Sequence, residues 1–469
     1  MDLTKGVSKR ESILNALDSF SSKKILVLGD LMLDKYLYGD VSRISPEAPV
    51  QVVKFTKEAN VPGGAANASY NMSLLGAKIF ISGIIGEDAN GSILLDQLKK
   101  SQIDTEGVII DKKRCTTIKQ RIIGGNNQQL LRIDYEETSK LSEENIRTII
   151  DFVKVKIKEV DALVISDYGK GLVSKELIGE AINLANENKV PIIVDGKPKN
   201  LDCFVNATLI TPNLKEAKEM ANIDEDNIEL IGNKIMTKLN SNVFITRGAE
   251  GITLFEKNGK MTHFPTKKVK VFDVTGAGDV VVAVSALGMV SELDLYDTAE
   301  LANIAGRIVV QKPGTSSITL QEIKESILAS EVNSVRQKVD KAWGSEDWIV
   351  NYERSNFCGK RLLLKKGHQC SIHFHLEKNE VFYINKGLVL IQAYNQEKLL
   401  KPGDSLLIEP GTKHRYIGLT DAEIIEFSSH HKEDDSYRDE PSGRVQEELF
   451  NEYLKKYSEE IKASINQDG

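Results

Sequence analysis

Short, nearly continuous runs of apolar residues recur along the N-terminal part of the chain. They lie at residues 23–29, 162–166, 191–195, 208–211 and 242–246. Between them, segments such as 174–189 and 226–239 place apolar residues three or four positions apart, which is the spacing of an amphipathic helix. Strands that alternate with helices predict βαβ units. We therefore expect an α/β fold with a mostly parallel sheet covered by helices on both faces.

Two segments of this part follow a different pattern. Residues 36–56 and 117–135 alternate apolar and polar positions, which is typical of strands buried on one face. The second segment contains a turn signal, Gly124, Gly125, Asn126 and Asn127. We predict that these residues form antiparallel strands in a small β flap beside the main sheet.

The C-terminal part changes character again. Short strands separated by glycine turns run from about residue 348 to 428, which predicts an all-β module. A charged helical tail follows, with apolar Val445, Leu449 and Leu454, and we expect it to pack on this module or on a neighbouring subunit. The predicted boundaries are 1–328 for the α/β domain, 329–340 for a linker, 341–435 for the all-β domain and 436–469 for the tail.

Composition limits the partners and the compartment. The chain has 469 residues, a net charge of −7 and a pI near 5.7, which argues against a nucleic-acid surface. No apolar run reaches the roughly 18 residues that span a bilayer, and the N-terminus lacks an apolar signal core. The four cysteines form no Cys-x-x-Cys pair. We expect a cytoplasmic protein that acts on a small molecule, with no nucleic-acid or membrane partner.

Histidine is unevenly distributed between the two parts of the chain. Of the seven histidines, six lie between His368 and His431, and the first 330 residues contain only His263. Histidine is the most common side-chain ligand for transition metals and a frequent acid or base. The two parts of the chain are therefore expected to perform different chemistry.

Asp279 is the leading catalytic candidate of the first part. It follows Gly276, Ala277 and Gly278, in the first turn of an apolar helix. Backbone N–H groups at a helix start, together with the helix dipole, bind an anion. A carboxylate beside such an anion hole can accept a hydroxyl proton while a phosphoryl group moves to that hydroxyl. The alternative is a simple capping turn in which Asp279 only complements the dipole.

Other polar and glycine-rich strings follow predicted strands. Asp30 and Asp34 come after the first strand, where ligands of open α/β sheets bind. The glycines of Pro62–Asn67 allow close approach of the backbone to a ligand. Asn213 and Glu216 lie three residues apart on one helix face and could hold hydrated Mg²⁺, although a helix-capping pair has the same spacing.

The string Asp-Val-Thr-Gly-Ala-Gly-Asp at residues 273–279 resembles the signature of the ribokinase (PfkB) family of sugar kinases. The strings at 29–53, 62–77, 126–137 and 166–171 resemble the kinase domains of bacterial heptose-7-phosphate kinases. The resemblance covers about residues 10–325. It implies a ribokinase-like fold, ATP and Mg²⁺ as cofactors, a sugar phosphate as substrate and a homodimer. One departure is the string at 195–199, which has one residue more than the expected Asp-Pro-Lys.

The resemblance also implies roles for individual residues. Asp279 corresponds to the base, and Gly276, Ala277 and Gly278 correspond to the anion hole. The positions expected to face the sugar are Asp30, Asp34, Gly63, Gly64, Asn67, Asp167 and Lys170, with Arg121 and Arg132 as candidates for the terminal phosphate. The positions expected on the Mg²⁺-ATP side are Asn213, Glu216, Thr246, Gly248, Gly251 and Asn303.

The second part contains the spacing of a metal site. His373 and His375 alternate along a predicted strand and so point to one face. The stretches 367–387 and 403–414 resemble the two halves of the cupin signature, which implies a double-stranded β-helix. The four candidate ligands are His373, His375, Glu380 and His414. Such a set suits Zn²⁺, Mn²⁺, Fe²⁺ or Ni²⁺, and the alternative is a barrel with structural histidines and no metal.

The flanking strings at 341–348, 371–375, 378–382 and 428–438 resemble cupin sugar isomerases. Three hypotheses remain for this part. It could be a metal-dependent sugar-phosphate isomerase, a sugar-binding module that modulates the kinase, or a structural element that only holds a dimer. Lys378, Glu409 and Glu426 are candidates for the acid or base of an isomerase.

Overall fold

The structure is a computed structural model, which describes residues 9–125, 128–267, 269–312, 317–332, 337–352, 356–431 and 435–465. The chain divides into two compact units, one of residues 9–328 and one that begins at residue 329. Several predictions reach beyond the described residues. These are Asn126 and Asn127 of the flap turn, residues 333–336 of the linker, and the chain ends at 1–8 and 466–469.

The first unit alternates helices and strands along most of its length. In chain order its elements are α1 (Lys9–Ser19), β1 (Lys24–Gly29), β2 (Leu31–Ile44), β3 (Gln51–Gly64), α2 (Ala65–Leu74), β4 (Lys78–Gly86), α3 (Ala89–Lys100), β5 (Asp104–Asp111), β6 (Thr117–Ile123), β7 (Gln129–Tyr135), α4 (Glu143–Lys156), β8 (Ala162–Ser166), α5 (Lys175–Glu187), β9 (Ile192–Asp195), β10 (Leu209–Ile210), α6 (Leu214–Ala221), α7 (Ile228–Leu239), β11 (Asn242–Thr246), β12 (Ile252–Phe255), β13 (Met261–Phe264), α8 (Ala277–Val290), α9 (Leu295–Val309) and α10 (Leu320–Val332).

Nine of these strands form the main sheet, in the order β13-β12-β11-β10-β9-β8-β1-β4-β5. All neighbours pair in parallel except β11-β12 and β12-β13. Ile25 and Val27 of β1 pack into a core with α2, α8 and α9, whereas Leu26 and Leu28 pack into a second core with α4 and α5. The α/β prediction is confirmed, because alternate side chains of each buried strand fill cores on opposite faces.

The flap is a separate four-stranded sheet in the order β3-β2-β6-β7. The prediction of antiparallel strands is correct for β2-β3 and β6-β7 but wrong for the central pair, because β2 and β6 run parallel. The chain passes through β3, α2, β4, α3 and β5 between them, and a crossover of this length allows the second strand to run in the same direction. This pairing places Asp34 beside Lys119, and Tyr36 beside Arg121.

The second unit is built from short antiparallel strands. Its elements are β14 (Gln337–Lys341), β15 (Gly344–Tyr352), β16 (Phe357–Leu364), β17 (His368–Gln369), β18 (His373–Phe374), β19 (Glu380–Lys386), β20 (Val389–Ala393), β21 (Gln396–Leu400), β22 (Ser405–Ile408), β23 (His414–Gly418), β24 (Ala422–Ser428), β25 (Tyr437–Arg438), β26 (Gly443–Arg444), α11 (Glu447–Lys456) and α12 (Ser458–Ile465). The predicted linker, residues 329–340, therefore contains part of β14. The strands β25 and β26 lie beyond residue 435, which was the predicted end of the all-β domain.

Two sheets form this all-β unit. One has the order β14-β15-β16-β24-β19-β22, and the other is β21-β20-β23-β17-β26, with β18 pairing β23 and β25. Phe382 from the first sheet and Ile391 and Tyr416 from the second share one core. The bridge between β18 and β23 pairs His373 directly with His414, so two residues 41 positions apart become neighbours.

The helical tail packs on the second sheet of this unit. Val445 and Tyr453 are buried against Leu390 and Ile417. Leu449, one of the apolar residues named in the sequence, is instead exposed. The residues of α11 that contact the sheet are the aromatic Tyr453 and Phe450, which lie on the helix face that meets it.

Candidate functional site

The carboxylate of Asp279 is buried at the start of α8 and is held by two donors. Gly276 precedes the helix with a φ of 80°, a left-handed conformation that favours glycine. The Asn67 side-chain amide donates to Oδ2 of Asp279 at 2.5 Å, and the Tyr168 hydroxyl donates to Oδ1. The sequence motifs around residues 67, 168 and 279 therefore meet at one carboxylate.

Burial raises the pKa of Asp279 to about 6, and the hydrogen bonds from Tyr168 and Asn67 oppose this rise. The negative charge of Asp34 raises the pKa further, while Lys119 lowers it. Asp279 is thus mostly ionised at neutral pH and still a stronger base than an exposed aspartate. These are the properties required of a general base.

Backbone N–H groups at the start of α8 lie next to this carboxylate. The N–H of Ala277 donates to the carbonyl oxygen of Val274 at 3.2 Å, so it is used inside the turn. The N–H groups of Gly278 and Asp279 belong to the first helical turn, where no intrahelical acceptor exists. Of the predicted anion-hole residues, Gly278 therefore has the N–H best placed to hold a phosphoryl oxygen, while Gly276 supplies the turn.

Two aspartates predicted to face the sugar hold loops in place. The Asp30 carboxylate accepts the backbone N–H groups of Tyr168, Lys170 and Leu172 at 2.8 to 3.3 Å. Burial raises the pKa of Asp30, and these N–H donors counteract that effect. Asp30 therefore fixes the loop that carries Tyr168 to the base.

Asp167 does the same for a neighbouring loop. Its carboxylate accepts from the backbone N–H groups of Gly169 and Lys197 and from the side chain of Asn200, at 2.7 to 3.0 Å. It is completely buried by these contacts. Direct contact of Asp30 or Asp167 with a sugar stays a prediction.

Asp34 and the two glycines of β3 form a close group. Arg121 donates to Oδ1 of Asp34 at 2.7 Å. A Cβ atom at Gly63 would lie 3.0 Å from Oδ2 of Asp34, and one at Gly64, whose φ is 58°, would lie 2.8 Å from the carbonyl oxygen of Asp30. Any larger residue at either position would displace the carboxylate or the backbone, so these glycines give Asp34 its position.

Basic side chains of the flap and of the loop after β8 lie close together beside Asp34. Arg121 and Arg132 face each other across β6 and β7. Arg132 forms a two-pronged pair with Asp134 at 2.9 and 3.0 Å, and Lys170 pairs with Glu136. The predicted phosphate-binding candidates are thus close together on one side of the flap.

Three residues of this site were missed in the sequence. Lys119 is half-buried on β6, and this partial burial lowers its pKa. The period-2 alternation with Arg121 is a signal that could have identified it. Tyr168 lies within the string 166–171 but carries no signal of its own. Lys197 lies in the departure at 195–199 and donates to Glu216 at 2.5 Å.

Asn213 and Glu216 form a helix-capping box. The Asn213 side chain accepts from the N–H of Glu216 at 2.9 Å, and the Glu216 carboxylate accepts from the N–H of Asn213 at 3.1 Å. The capping alternative is therefore confirmed, and a role in Mg²⁺ binding stays a prediction. Nearby, burial and the charge of Asp279 raise the pKa of Asp195 to about 8.

The residues predicted on the nucleotide side lie around the end of β11. Thr246 donates its N–H to the carbonyl oxygen of Pro212 at 3.0 Å and forms a bridge with Asn213. Gly248 and Gly251 have φ values of 57° and 94°, and a Cβ atom at Gly251 would lie 2.0 Å from a carbonyl oxygen. The amide of Asn303 donates to two backbone carbonyl oxygens at 3.2 and 3.1 Å, so it anchors the loop after β13.

The second unit brings three of its four candidate metal ligands together. Ligand atoms of His373, Glu380 and His414 all lie within 4.8 Å of one another. Nε2 of His414 is 3.0 Å from Oε2 of Glu380. His375 lies at the edge of this group, with its Nε2 3.6 Å from Oε1 of Glu380.

The histidine rings are oriented in the same way. Nδ1 of His373 lies 2.9 Å from the carbonyl oxygen of Ser371, Nδ1 of His414 lies 3.0 Å from that of Thr412, and Nδ1 of His375 contacts that of Asp435. A carbonyl oxygen accepts only, so we assign the proton of each neutral ring to Nδ1 and the lone pair to Nε2. Burial lowers the pKa of His373 to about 4, which keeps that ring neutral.

The arrangement suits a divalent metal ion. Nε2 of His414 and Oε2 of Glu380 are buried and have no hydrogen-bond partner among the described residues. Two lone pairs 3.0 Å apart repel each other unless a cation lies between them. Backbone carbonyls that fix the outer ring nitrogen are common behind metal-binding histidines. The donor set therefore fits a transition metal held by imidazole and carboxylate.

A cavity of about 930 Å³ opens beside these ligands. Its wall includes Trp348, Lys360, Tyr416, His431 and Arg438. Lys378 also lines it and donates to both Glu380 and Glu426 at 2.6 Å. These two carboxylates hold the pKa of Lys378 above its usual range, so its ammonium group stays charged.

Comparisons with known proteins agree with both units. The model of the pfkB family of carbohydrate kinases matches residues 22–322, and a cupin domain model matches residues 360–428. The bifunctional protein HldE of Geobacter sulfurreducens is 39% identical over 306 residues, 64% of this chain and 62% of that protein. The bifunctional protein HldE of Desulfatibacillum aliphaticivorans is 36% identical over 352 residues, 74% of this chain and 71% of that protein.

Among solved structures, phosphofructokinase-2 from Escherichia coli in complex with potassium covers 66% of this chain and 99% of its own, with 19% identity and a TM-score of 0.54. This likeness shows the ribokinase-like fold. The chain belongs to the pfkB family of carbohydrate kinases and carries a cupin domain after the kinase domain. It spans 62% of the length of the Geobacter relative. Among the described residues, no helix has both the length and the apolar character that a membrane span requires.

Proposed function

We propose that the kinase domain transfers the γ-phosphoryl group of ATP to the anomeric hydroxyl of D-glycero-D-manno-heptose 7-phosphate. The product would be the 1,7-bisphosphate, a precursor of ADP-heptose for lipopolysaccharide and other surface glycans. The observation that carries this proposal is the buried Asp279 carboxylate, held by Asn67 and Tyr168 at the start of α8. The choice of a heptose rests on the sequence strings that resemble heptose-7-phosphate kinases.

In this reaction Asp279 accepts the proton of the attacking hydroxyl, and the start of α8 stabilises the phosphoryl group in transfer. Mg²⁺ bound to ATP supplies charge neutralisation at the phosphates. The charges near β9 and α6 suit such an ion, because three carboxylates, Asp279, Glu216 and Asp167, act on Asp195 and raise its pKa, while Lys197 opposes them. Asn213, Glu216, Thr246, Gly248, Gly251 and Asn303 are the residues that we assign to Mg²⁺-ATP.

The basic residues of the flap and of the loop after β8 are assigned to the terminal phosphate of the sugar. Lys119 interacts electrostatically with Asp34 and with the other three cations, Arg121, Arg132 and Lys170. We assign Asp34 to the sugar hydroxyls together with Gly63, Gly64 and Asn67. The rival specificity is that of a fructokinase-like enzyme. Measuring kcat/KM on heptose 7-phosphate, fructose 6-phosphate and ribose distinguishes the two, and a clear preference for a hexose or pentose rejects the heptose assignment.

For the cupin domain we propose a metal-dependent isomerase that interconverts sedoheptulose 7-phosphate and the heptose 7-phosphate used by the kinase. The supporting observation is the two unpaired buried atoms, Oε2 of Glu380 and Nε2 of His414, beside a cavity of about 930 Å³ that Glu380, His373 and His375 line. A bound divalent ion would act as a Lewis acid on neighbouring sugar oxygens. Of the acid or base candidates, Lys378 and Glu426 line the cavity, whereas Glu409 is exposed and is not among its lining residues.

The test of the isomerase uses the whole protein loaded with one divalent metal at a time. Sedoheptulose 7-phosphate is supplied without ATP, and the formation of aldose is followed by NMR. If no aldose forms with Mn²⁺, Fe²⁺, Ni²⁺ or Zn²⁺ while the kinase is active, the cupin is a sugar-binding or dimer-forming module instead. That outcome leaves the kinase assignment unchanged.

We also propose a cytoplasmic homodimer that associates through the flap. The flap exposes large apolar side chains, among them Ile44, Phe55 and Leu131, which are 54 to 65% exposed in the single chain. Apolar side chains this exposed favour an interface. Light scattering of the purified protein gives its mass in solution, and substitution of Phe55 and Leu131 by Ser should shift a dimer to monomers. A monomeric wild-type protein would disprove this assembly.

A further inference from the structure

Tyr168 touches the proposed base directly, and no sequence motif predicts this contact. Its hydroxyl donates to Oδ1 of Asp279, while the Asn67 amide donates to Oδ2. Each carboxylate oxygen can accept two hydrogen bonds, so an acceptor hydroxyl can still approach Asp279 beside these donors. The two donors together fix the rotation of the carboxylate about its side-chain bond.

The position of Tyr168 is itself fixed from several sides. Its backbone N–H donates to Asp30 at 2.8 Å, which fixes the chain where it leaves β8. The ammonium groups of Lys119 and Lys197 lie 5.2 and 5.4 Å from the centre of its ring. Lys119 belongs to the flap and Lys197 to the loop after β9. The ring therefore connects the predicted sugar side of the site with the predicted nucleotide side.

We propose that Tyr168 is a positioning residue for phosphoryl transfer, which orients the Asp279 carboxylate toward the acceptor hydroxyl and stabilises its ionised form. This inference rests on the proposed function, in which Asp279 is the general base. Tyr168 acts through Asp279 and needs no contact with the substrate. A donor hydroxyl at this place preorganises the base before the sugar binds.

The charges around Asp279 show why this donor matters. Asp34 on β2 raises the pKa of Asp279, as burial does, while Lys119 on β6 lowers it. Asp195 at the end of β9 is coupled to Asp279 by like charge. The hydrogen bonds from Tyr168 and Asn67 are the strongest influences that favour the ionised carboxylate. Burial and the nearby carboxylates hold the pKa of Tyr168 well above its usual value, so its hydroxyl keeps the proton that it donates.

The decisive variant is Tyr168→Phe, which keeps the ring and its contacts with both lysines and removes only the hydroxyl. A hydrogen bond to a charged group is worth enough to move a pKa by about one unit. We expect the acidic limb of the kcat/KM profile to move up by about one pH unit. Relative to wild type, kcat/KM should fall by about twofold at pH 7 and by about tenfold at pH 5, activity should recover toward pH 9, and KM for ATP should change little.

Two comparisons separate this inference from its alternatives. Tyr383→Phe, at an exposed tyrosine of the other unit, is the matched control and should leave the profile unchanged. Asp279→Asn tests the proposed function by itself, and an active Asp279→Asn enzyme would remove the base on which the inference depends. If Asp279→Asn is inactive but Tyr168→Phe keeps both the kcat and the acidic limb of the wild type, Asp279 remains the base and the role of Tyr168 is rejected.

A second measurement covers the case in which Tyr168→Phe does not fold. Incorporation of 3-fluorotyrosine at position 168 keeps the hydroxyl and makes it a stronger donor. The acidic limb should then move down in pH. An unchanged limb in the folded fluorotyrosine enzyme contradicts the proposal, and circular dichroism with thermal unfolding reports whether each protein is folded.

Discussion

The side-chain amide of Asn67 lies 2.5 Å from the carboxylate of Asp279, although 212 residues separate the two along the chain. Asn67 follows the paired glycines at the end of β3, and Asp279 lies in the first turn of α8. Contact between α2 and α8 brings the two motifs together inside one core. This contact places the residues assigned to the sugar beside the proposed base.

Replacement of Asp279 by Asn should abolish phosphoryl transfer while ATP still binds. The amide has nearly the same shape but cannot accept the hydroxyl proton, and loss of a general base typically lowers the rate by about 10²–10⁴. Turnover is measured by coupled ADP release and ATP binding by calorimetry. Asp151→Asn, at an exposed carboxylate of α4, is the control. If Asp279→Asn turned over at the wild-type rate, Asp279 would not be the base.

The kinase should lose activity below about pH 6. Burial raises the pKa of Asp279 to about 6, so the carboxylate is ionised above this pH and protonated below it. Because the base acts only in its ionised form, kcat/KM should fall about tenfold for each pH unit below 6 and stay nearly level from pH 7 to 8. Thermal unfolding over the same range separates loss of the base from loss of the fold. A profile that stays level down to pH 5 contradicts the assignment.

Substitutions at Asn213 should separate its capping role from its predicted role with Mg²⁺-ATP. Asn213→Ala removes the cap and should lower the free energy of unfolding by about 1 kcal/mol, whereas Asn213→Ser keeps a capping oxygen. If Asn213 also contacts the nucleotide complex, KM for Mg²⁺-ATP should rise in both variants. A normal KM in the stable Ser variant would leave Asn213 with the capping role alone.

Removal of single ligands should empty the cupin metal site without affecting the kinase. His414→Ala and Glu380→Gln each delete a donor from the group that lies within 4.8 Å, so bound metal should fall well below one equivalent. Metal content is measured by mass spectrometry after dialysis. His368→Ala is the control, because the ring of His368 contacts the backbone of Lys366 and lies outside the group of close ligand atoms. Equal metal content in His414→Ala and wild type would reject the site.

His375 should contribute less to this site than the other three ligands. Its Nε2 is 3.6 Å from Oε1 of Glu380, and it lies outside the group of mutually close ligand atoms. We expect His375→Ala to weaken metal binding by less than His373→Ala does. Titration of the apoprotein with Zn²⁺ or Mn²⁺ gives both affinities, and an equal or larger loss for His375→Ala would contradict this ranking.

The periodicity of the sequence determined the classes of both folds. The apolar run of β1 had to be buried on both faces, because Leu26 and Ile25 face opposite cores. Local turn chemistry placed Asp279 at a helix start, since a glycine-rich turn followed by an apolar run depends on neighbouring residues alone. The His-x-His spacing likewise fixed the common face of His373 and His375 before any tertiary contact was known.

The tertiary structure alone decided which of these polar residues meet. Asp30 and Asp34 are equally plausible sugar ligands in the sequence, yet Asp30 accepts three backbone N–H groups while Asp34 pairs with Arg121. Tyr168 reaches Asp279 only because β8 ends beside the start of α8. The parallel pairing of β2 with β6, which local patterns predicted wrongly, brings Lys119 to Asp34. Period and turn chemistry act over a few residues, whereas these contacts depend on how distant strands are ordered in a sheet, and no local pattern encodes that order.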